Sequence, residues 1–119
     1  MKTVVSLIFM LELALLFTHE MDAIRRKEWR MFIVLKDMAD EKAYWLFTLL
    51  HIPLFIILLF LLSSHFRLIG FYITDIFLIG HSLVHIGFRR HPANGFNNWV
   101  SALIIHMAGV LAILHLAVF

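Results

Sequence analysis

The sequence has 119 residues, of which 62% are hydrophobic and 15% are charged, and its net charge is +2. A soluble domain carries about 25% charged residues, so this composition predicts a single membrane domain over residues 1–119. There is no cysteine, which excludes disulfides, thiolate metal sites and cysteine nucleophiles. The basic residues lie beside apolar segments, as is typical at an anionic membrane surface, and we expect no nucleic-acid partner.

Four apolar segments predict transmembrane helices, and one amphipathic segment predicts a helix that lies in the membrane interface. The first span contains Glu12 and no small-residue cleavage site follows it, so we expect a retained helix rather than a cleaved signal peptide. Residues 21–40 carry apolar side chains at three- and four-residue steps among basic ones, with Trp29 expected at the headgroups. The predicted spans are residues 3–19, 44–62, 68–88 and 99–118. The expected fold is therefore an all-α bundle of four transmembrane helices with one interfacial helix.

The distribution of lysine and arginine predicts the orientation of the chain. Following the four spans places eight of the ten basic residues on one side of the membrane, with Lys2 and Arg67 on the other. The positive-inside rule puts the larger group in the cytoplasm. We therefore expect both termini outside the cytoplasm, in what we expect to be a bacterial inner membrane.

Ionisable side chains recur inside the spans, where they are costly and usually face the interior of the bundle. His81 and His85 lie one turn apart on one helical face, so both imidazoles can turn toward one point. Counting about 1.5 Å per residue from the predicted boundaries puts one side chain of each span about 10 Å below the cytoplasmic surface. These four side chains are Glu12, His51, His81 and His106. We expect one shared site formed by Glu12, His51, His81 and His85.

The other ionisable side chains of the spans fall into two groups. The tier nearer the cytoplasm consists of His19, Glu20 and His85. His19 follows Glu12 by seven residues and so shares nearly the same helical face. Asp75 and His115 lie toward the outer leaflet and form a separate feature.

Four interpretations of these side chains stay open: a non-haem metal site, a haem b held by two helices, a proton or ion path, and plain interhelical hydrogen bonds. We favour the metal site, with zinc or iron as the ion, because both accept mixed imidazole and carboxylate ligands. The predicted metal ligands are His19, His51, His81, His85, His106, Glu12 and Asp75. The predicted catalytic residues are Glu12 and Glu20, each as a general base.

The pair His81 and His85, with His51, Asp75 and a serine, resembles the pattern of the membrane zinc hydrolases related to alkaline ceramidases and progestin/adiponectin receptors. It also resembles the histidine boxes of membrane fatty-acid desaturases and hydroxylases, and the whole chain is similar in type to small multi-pass bacterial membrane proteins. The hydrolases have seven spans, and the desaturases have more histidine boxes than this chain. The resemblance implies a metal-dependent hydrolase or oxidoreductase that acts on a lipid-like or quinone-like substrate.

The alternative expectation is a haem-carrying or structural subunit of a larger membrane complex. A chain this short has little surface outside the bilayer with which to recognise a substrate. We therefore expect a homo-oligomer or a partner within a membrane complex, in addition to the lipid bilayer itself.

Overall fold

The computed structural model describes residues 2–119, and within this range it contains four long α-helices and no β-strand. Each helix has the length and the apolar composition needed to cross a membrane. The helices are α1 (Lys2–Arg25), α2 (Asp40–Ser63), α3 (Arg67–Gly87) and α4 (Trp99–Val118). The predicted all-helical class with four apolar helices is confirmed.

Helix α4 is the centre of the bundle, because it packs along both α1 and α3, whereas α2 packs mainly against α3. An apolar layer in the middle of the bundle is formed by Leu16, Leu78, Ala108 and Ala112. Gly109 lets α3 and α4 approach closely, since a Cβ atom at this position would lie 2.8 Å from the Cβ atom of Ser82. Small side chains on α4 therefore set the helix spacing in the core.

The outer surface of the bundle is apolar on all four helices. In α2, Ala43 and Phe47 are buried, while Ile56 and most of its other large apolar side chains are exposed. An exposed apolar surface of this extent is abnormal for a protein in water. It is compatible with a membrane protein whose outer side chains contact lipid.

Residues 21–40 do not form the predicted interfacial helix. Helix α1 continues to Arg25, and Lys27 then adopts a left-handed conformation with φ 53° and ψ 53°, which turns the chain. A short 3-10 helix, Glu28–Met31, follows the turn. Trp29, expected at the headgroups, is instead only 3% exposed and packs against Tyr44 and Phe47.

Tertiary contacts explain why this segment folds inward instead of lying flat. Met31 and Leu35 are buried in the same apolar cluster as Trp29 and Phe96, so burial outweighs the local helical pattern. Polar contacts fix the turn, because Lys27 Nζ donates to Asp40 Oδ2 at 2.9 Å. The guanidinium of Arg30 also donates to Asp40, and to the carbonyl oxygen of Lys36 at 3.0 Å.

The connection between α3 and α4 lies against this folded segment. A Cβ atom on Gly95 would lie 2.9 Å from the carbonyl oxygen of Arg26, and Phe96 packs in the cluster that contains Trp29. Residues 26–39 and 88–98 therefore share one end of the bundle, which we call the basic end. The basic residues within or beside these connections are Arg25, Arg26, Lys27, Arg30, Lys36, Lys42, Arg89 and Arg90.

Candidate metal centre

Three histidines and one glutamate converge beneath the basic end. One ligand atom from each of these residues lies within 4.8 Å of the others. The residues are His19 of α1, Glu28 of the 3-10 helix, and His81 and His85 of α3. We call them the three-histidine cluster. The i, i+4 spacing of the α3 pair puts both of its rings on one helical face, and that face points at α1.

The distances in the cluster are short. His19 Nε2 lies 2.7 Å from His81 Nε2, and His85 Nε2 lies 3.1 Å from Glu28 Oε1. The Nε2 atoms of His19 and His81 each lie 3.6 Å from a Glu28 oxygen. A tetrahedral zinc ion keeps its ligand atoms about 3.3 Å apart. These four distances bracket this value, and the remaining pairs of ligand atoms lie within 4.8 Å, so the four side chains could close around one ion.

The cluster is buried, and its carboxyl group is ionised. Glu28 and His19 are 3% and 2% exposed. Burial alone would raise the pKa of Glu28, but polar contacts with His19 and His85 and the nearby imidazole charges lower this pKa to about 2. A buried carboxylate surrounded by imidazoles needs positive charge close by. Either protonated histidines or a cation can supply it.

Two cavities flank the cluster, and they differ in character. One has a volume of about 480 Å³ and runs beside His85. Its polar wall is formed by Arg89, Asn94, Asn97, Asn98 and His106. The other, of about 250 Å³, touches Glu28 and His81. Its apolar wall is formed by Phe32, Leu35, Phe47, Leu50, Leu54 and Phe77.

Glu20 and His51 form a hydrogen-bonded pair in the wall of the apolar cavity. His51 Nε2 lies 2.7 Å from Glu20 Oε2, and His51 Nδ1 lies 2.7 Å from the carbonyl oxygen of Phe47. Because the carbonyl can only accept, Nδ1 carries a hydrogen. The contact between Nε2 and Oε2 then holds one further proton, shared between imidazole and carboxylate. The pair also borders an apolar crevice between α1 and α2, with Phe17, Met21 and Phe55 in its wall.

A sequence model of DUF6713, described as a family of unknown function, matches residues 5–119. The chain belongs to the DUF6713 family. No curated protein and no solved structure matches the chain. The match to DUF6713 includes every residue of the three-histidine cluster, so the cluster is part of the family domain. The comparisons give no support to the expected resemblance to ceramidase-like hydrolases or to desaturases and hydroxylases.

The DUF6713 chain brings together only some of the residues expected to form one site. His19, His81 and His85 meet in the three-histidine cluster. His51 pairs with Glu20 instead of joining that cluster. His106 contacts Ser82, with Nδ1 2.8 Å from Oγ.

Glu12 also lies elsewhere, so the expected convergence of Glu12 and His51 with the α3 histidines is not observed. Glu12 and Asp75 lie together with His115 in a second buried group. This places Glu12, an expected general base, away from the three-histidine cluster. Glu20, the other expected base, lies on the wall of the cavity that touches the cluster.

Glu28 was not among the residues predicted from the sequence. It stands between basic residues in a segment whose periodicity suggested a surface helix, and the turn at Lys27 is what directs it inward. One signal in the sequence marks it: Glu28 adjoins Trp29, and a large aromatic residue is a strong reason for a segment to be buried.

Proposed function

We propose that this protein is an integral membrane protein that holds a non-haem transition-metal ion, zinc or iron, in the three-histidine cluster. One observation carries the proposal: four donor atoms of the types that bind such ions lie within 4.8 Å of one another in a buried position. An ion of charge +2 also supplies the positive charge that the Glu28 carboxylate requires.

The haem alternative fits this geometry less well. A haem needs a flat slot for its macrocycle between the axial ligands. Here the Nε2 atoms of His19 and His81 are 2.7 Å apart, and Phe96 packs against the rings of His19 and His85. Rings in such close contact leave room for an ion, not for a planar cofactor.

We further propose that the protein is a metal-dependent hydrolase or oxidoreductase with a lipid-like substrate. The apolar cavity and the crevice between α1 and α2 suit an acyl or isoprenoid chain that enters from the bilayer. The polar cavity beside His85 suits water or a polar head group. A bound metal ion would supply Lewis acidity or redox chemistry, and the Glu20–His51 pair would accept or donate a proton within the apolar cavity.

The proposed orientation puts both termini outside the cytoplasm of a bacterial inner membrane. It rests on the positive-inside rule applied to the basic end, where the connections 26–39 and 88–98 lie together. The three-histidine cluster would then lie just below the cytoplasmic surface. The exposed apolar face of α2 would contact lipid, or a second copy or complex partner.

The test is elemental analysis together with an optical spectrum of the purified protein in detergent. We expect zinc or iron to co-purify, without a Soret band. The Glu28→Gln/His85→Ala variant should lose about one ion per chain, whereas Glu41→Gln/His65→Ala, which makes the same two changes at exposed positions, should lose none. A Soret band, or equal metal contents in the two variants, would overturn the proposal.

A further inference from the structure

A second group of ionisable side chains lies deeper in the bundle. Glu12, Asp75 and His115 are each 0% exposed, and one ligand atom from each lies within 4.8 Å of the others. Glu12 precedes His19 by seven residues on α1, a rise of about 10 Å. Leu16, Leu78 and Ala112 lie in the apolar layer between the two groups. The deeper group is therefore a separate site, which we call the Glu12 site.

The Glu12 site has more hydrogen-bonding capacity than the protein uses. His115 Nδ1 lies 2.8 Å from Asp75 Oδ2. Four other atoms are buried without a hydrogen-bond partner among residues 2–119, namely Glu12 Oε1, Glu12 Oε2, Asp75 Oδ1 and His115 Nε2. Buried polar atoms nearly always have partners in proteins. Unpartnered atoms of three residues gathered in one place indicate a missing binding partner.

The aromatic side chains around His115 cannot supply that partner. The ring of His115 contacts the rings of Phe9, Phe71 and Phe119, which offer no conventional hydrogen-bond donor or acceptor. Glu12 and Asp75 lie near the midpoints of α1 and α3, where a membrane would hold no bulk water. Two carboxylates this close repel each other unless a proton or a cation lies between them.

We propose that the Glu12 site binds one divalent metal ion. Two carboxylates and a neutral imidazole carry a charge of −2, so one such ion makes the site neutral, which suits its depth. His115 Nδ1 and Asp75 Oδ2 lie 2.8 Å apart, close to the separation of two neighbouring ligand atoms on one ion, and Glu12 would supply the second carboxylate. Two oxygen donors and one nitrogen donor suit manganese, iron or zinc. The chain would then hold two metal ions, one at each site.

Zinc stoichiometry tests the inference. The detergent-purified protein is loaded with Zn²⁺, freed of excess ion on a desalting column, and analysed for zinc. We expect two ions per chain in the native protein, one in Glu28→Gln/His85→Ala, and none when Glu12→Gln is added to that variant. Adding Glu41→Gln instead should leave one ion. If Glu28→Gln/His85→Ala holds no zinc, the Glu12 site is not a metal site and its carboxylates share a proton.

X-ray absorption at the zinc edge keeps the test decisive if the triple variant does not fold. Zinc bound to Glu28→Gln/His85→Ala should have carboxylate oxygens and a single imidazole as protein ligands. Two imidazoles would place the ion at the remnant of the three-histidine cluster and overturn the inference. The two proposals can fail separately. If the native protein binds one zinc ion and Glu28→Gln/His85→Ala also binds one, the Glu12 site is a metal site and the three-histidine cluster is not.

Discussion

His85 Nε2 lies 3.1 Å from Glu28 Oε1, although 57 positions of sequence separate the two residues. The contact joins the end of α3 to the 3-10 helix that follows α1. It depends on the turn at Lys27 and on the burial of Trp29, both of which bring Glu28 beneath the basic end. The candidate metal centre is therefore a product of a connecting segment as well as of the membrane-spanning helices.

Removing the metal should destabilise the protein. An ion that binds only the folded state stabilises it by mass action, by about 2.7 kcal/mol when the free ion is at 100 times its Kd. We therefore expect a chelator to lower the Tm of the native protein in a thermal melt. His81→Ala should also lower the Tm and should reduce the further effect of the chelator to the part that the Glu12 site contributes.

His65→Ala is the control for that experiment, because His65 is exposed in the turn between α2 and α3. This variant should respond to the chelator as the native protein does. An unchanged native Tm after bound metal has demonstrably left would show that the ion does not stabilise the fold.

The Glu20–His51 pair should not be needed to hold the metal. The pair is not part of the group of converging ligand atoms, and His51 uses both ring nitrogens for Glu20 and the Phe47 carbonyl. We expect Glu20→Gln and His51→Gln to retain about the native metal content by elemental analysis. Loss of one ion per chain in either variant would make the pair part of the metal centre.

The sequence predicted the four helices and the shared face of His81 and His85, because length, hydropathy and an i, i+4 spacing are local properties. Depth was predicted less well. Helix α1 ends at Arg25, six residues beyond the predicted end at residue 19. Each of its side chains therefore lies about 9 Å farther from the cytoplasmic end of the helix than predicted. Because of this difference in depth, His19 rather than Glu12 lies at the level of the α3 histidines.

The remaining differences depend on tertiary packing that periodicity does not encode. His106 lies seven residues into α4 as expected, but its ring faces Ser82 instead of the cluster. Glu28 reaches the cluster because its neighbour Trp29 is buried, and a continuous helix along the membrane surface would not bury Trp29. Neither rotation about a helix axis nor the path of a connecting segment follows from hydropathy alone.

Close packing between α3 and α4 should make Gly109 sensitive to substitution. A Cβ atom at Gly109 would lie 2.8 Å from the Cβ atom of Ser82, whereas one at Gly80 would meet nothing within 4 Å. Overpacking of this kind costs about 1–3 kcal/mol. We expect Gly109→Ala to lower the Tm and Gly80→Ala not to. Equal melting temperatures for the two variants would contradict the observed helix spacing.

The proposed orientation can be tested with reporters fused after Phe119. A reporter that is active only in the cytoplasm should be inactive there, and one that is active only outside should be active. The reverse pattern would put the basic end outside and would remove the argument that places the three-histidine cluster on the cytoplasmic side.

The most direct test of the metal centre is X-ray absorption at the zinc edge of Glu12→Gln protein loaded with one equivalent of Zn²⁺. This variant removes a ligand of the Glu12 site and leaves the three-histidine cluster intact. We predict a first shell of three imidazole nitrogens and carboxylate oxygen, with bonds of about 2.0–2.2 Å. A zinc shell with fewer than two imidazoles, or protein that binds no zinc, would contradict the proposed site.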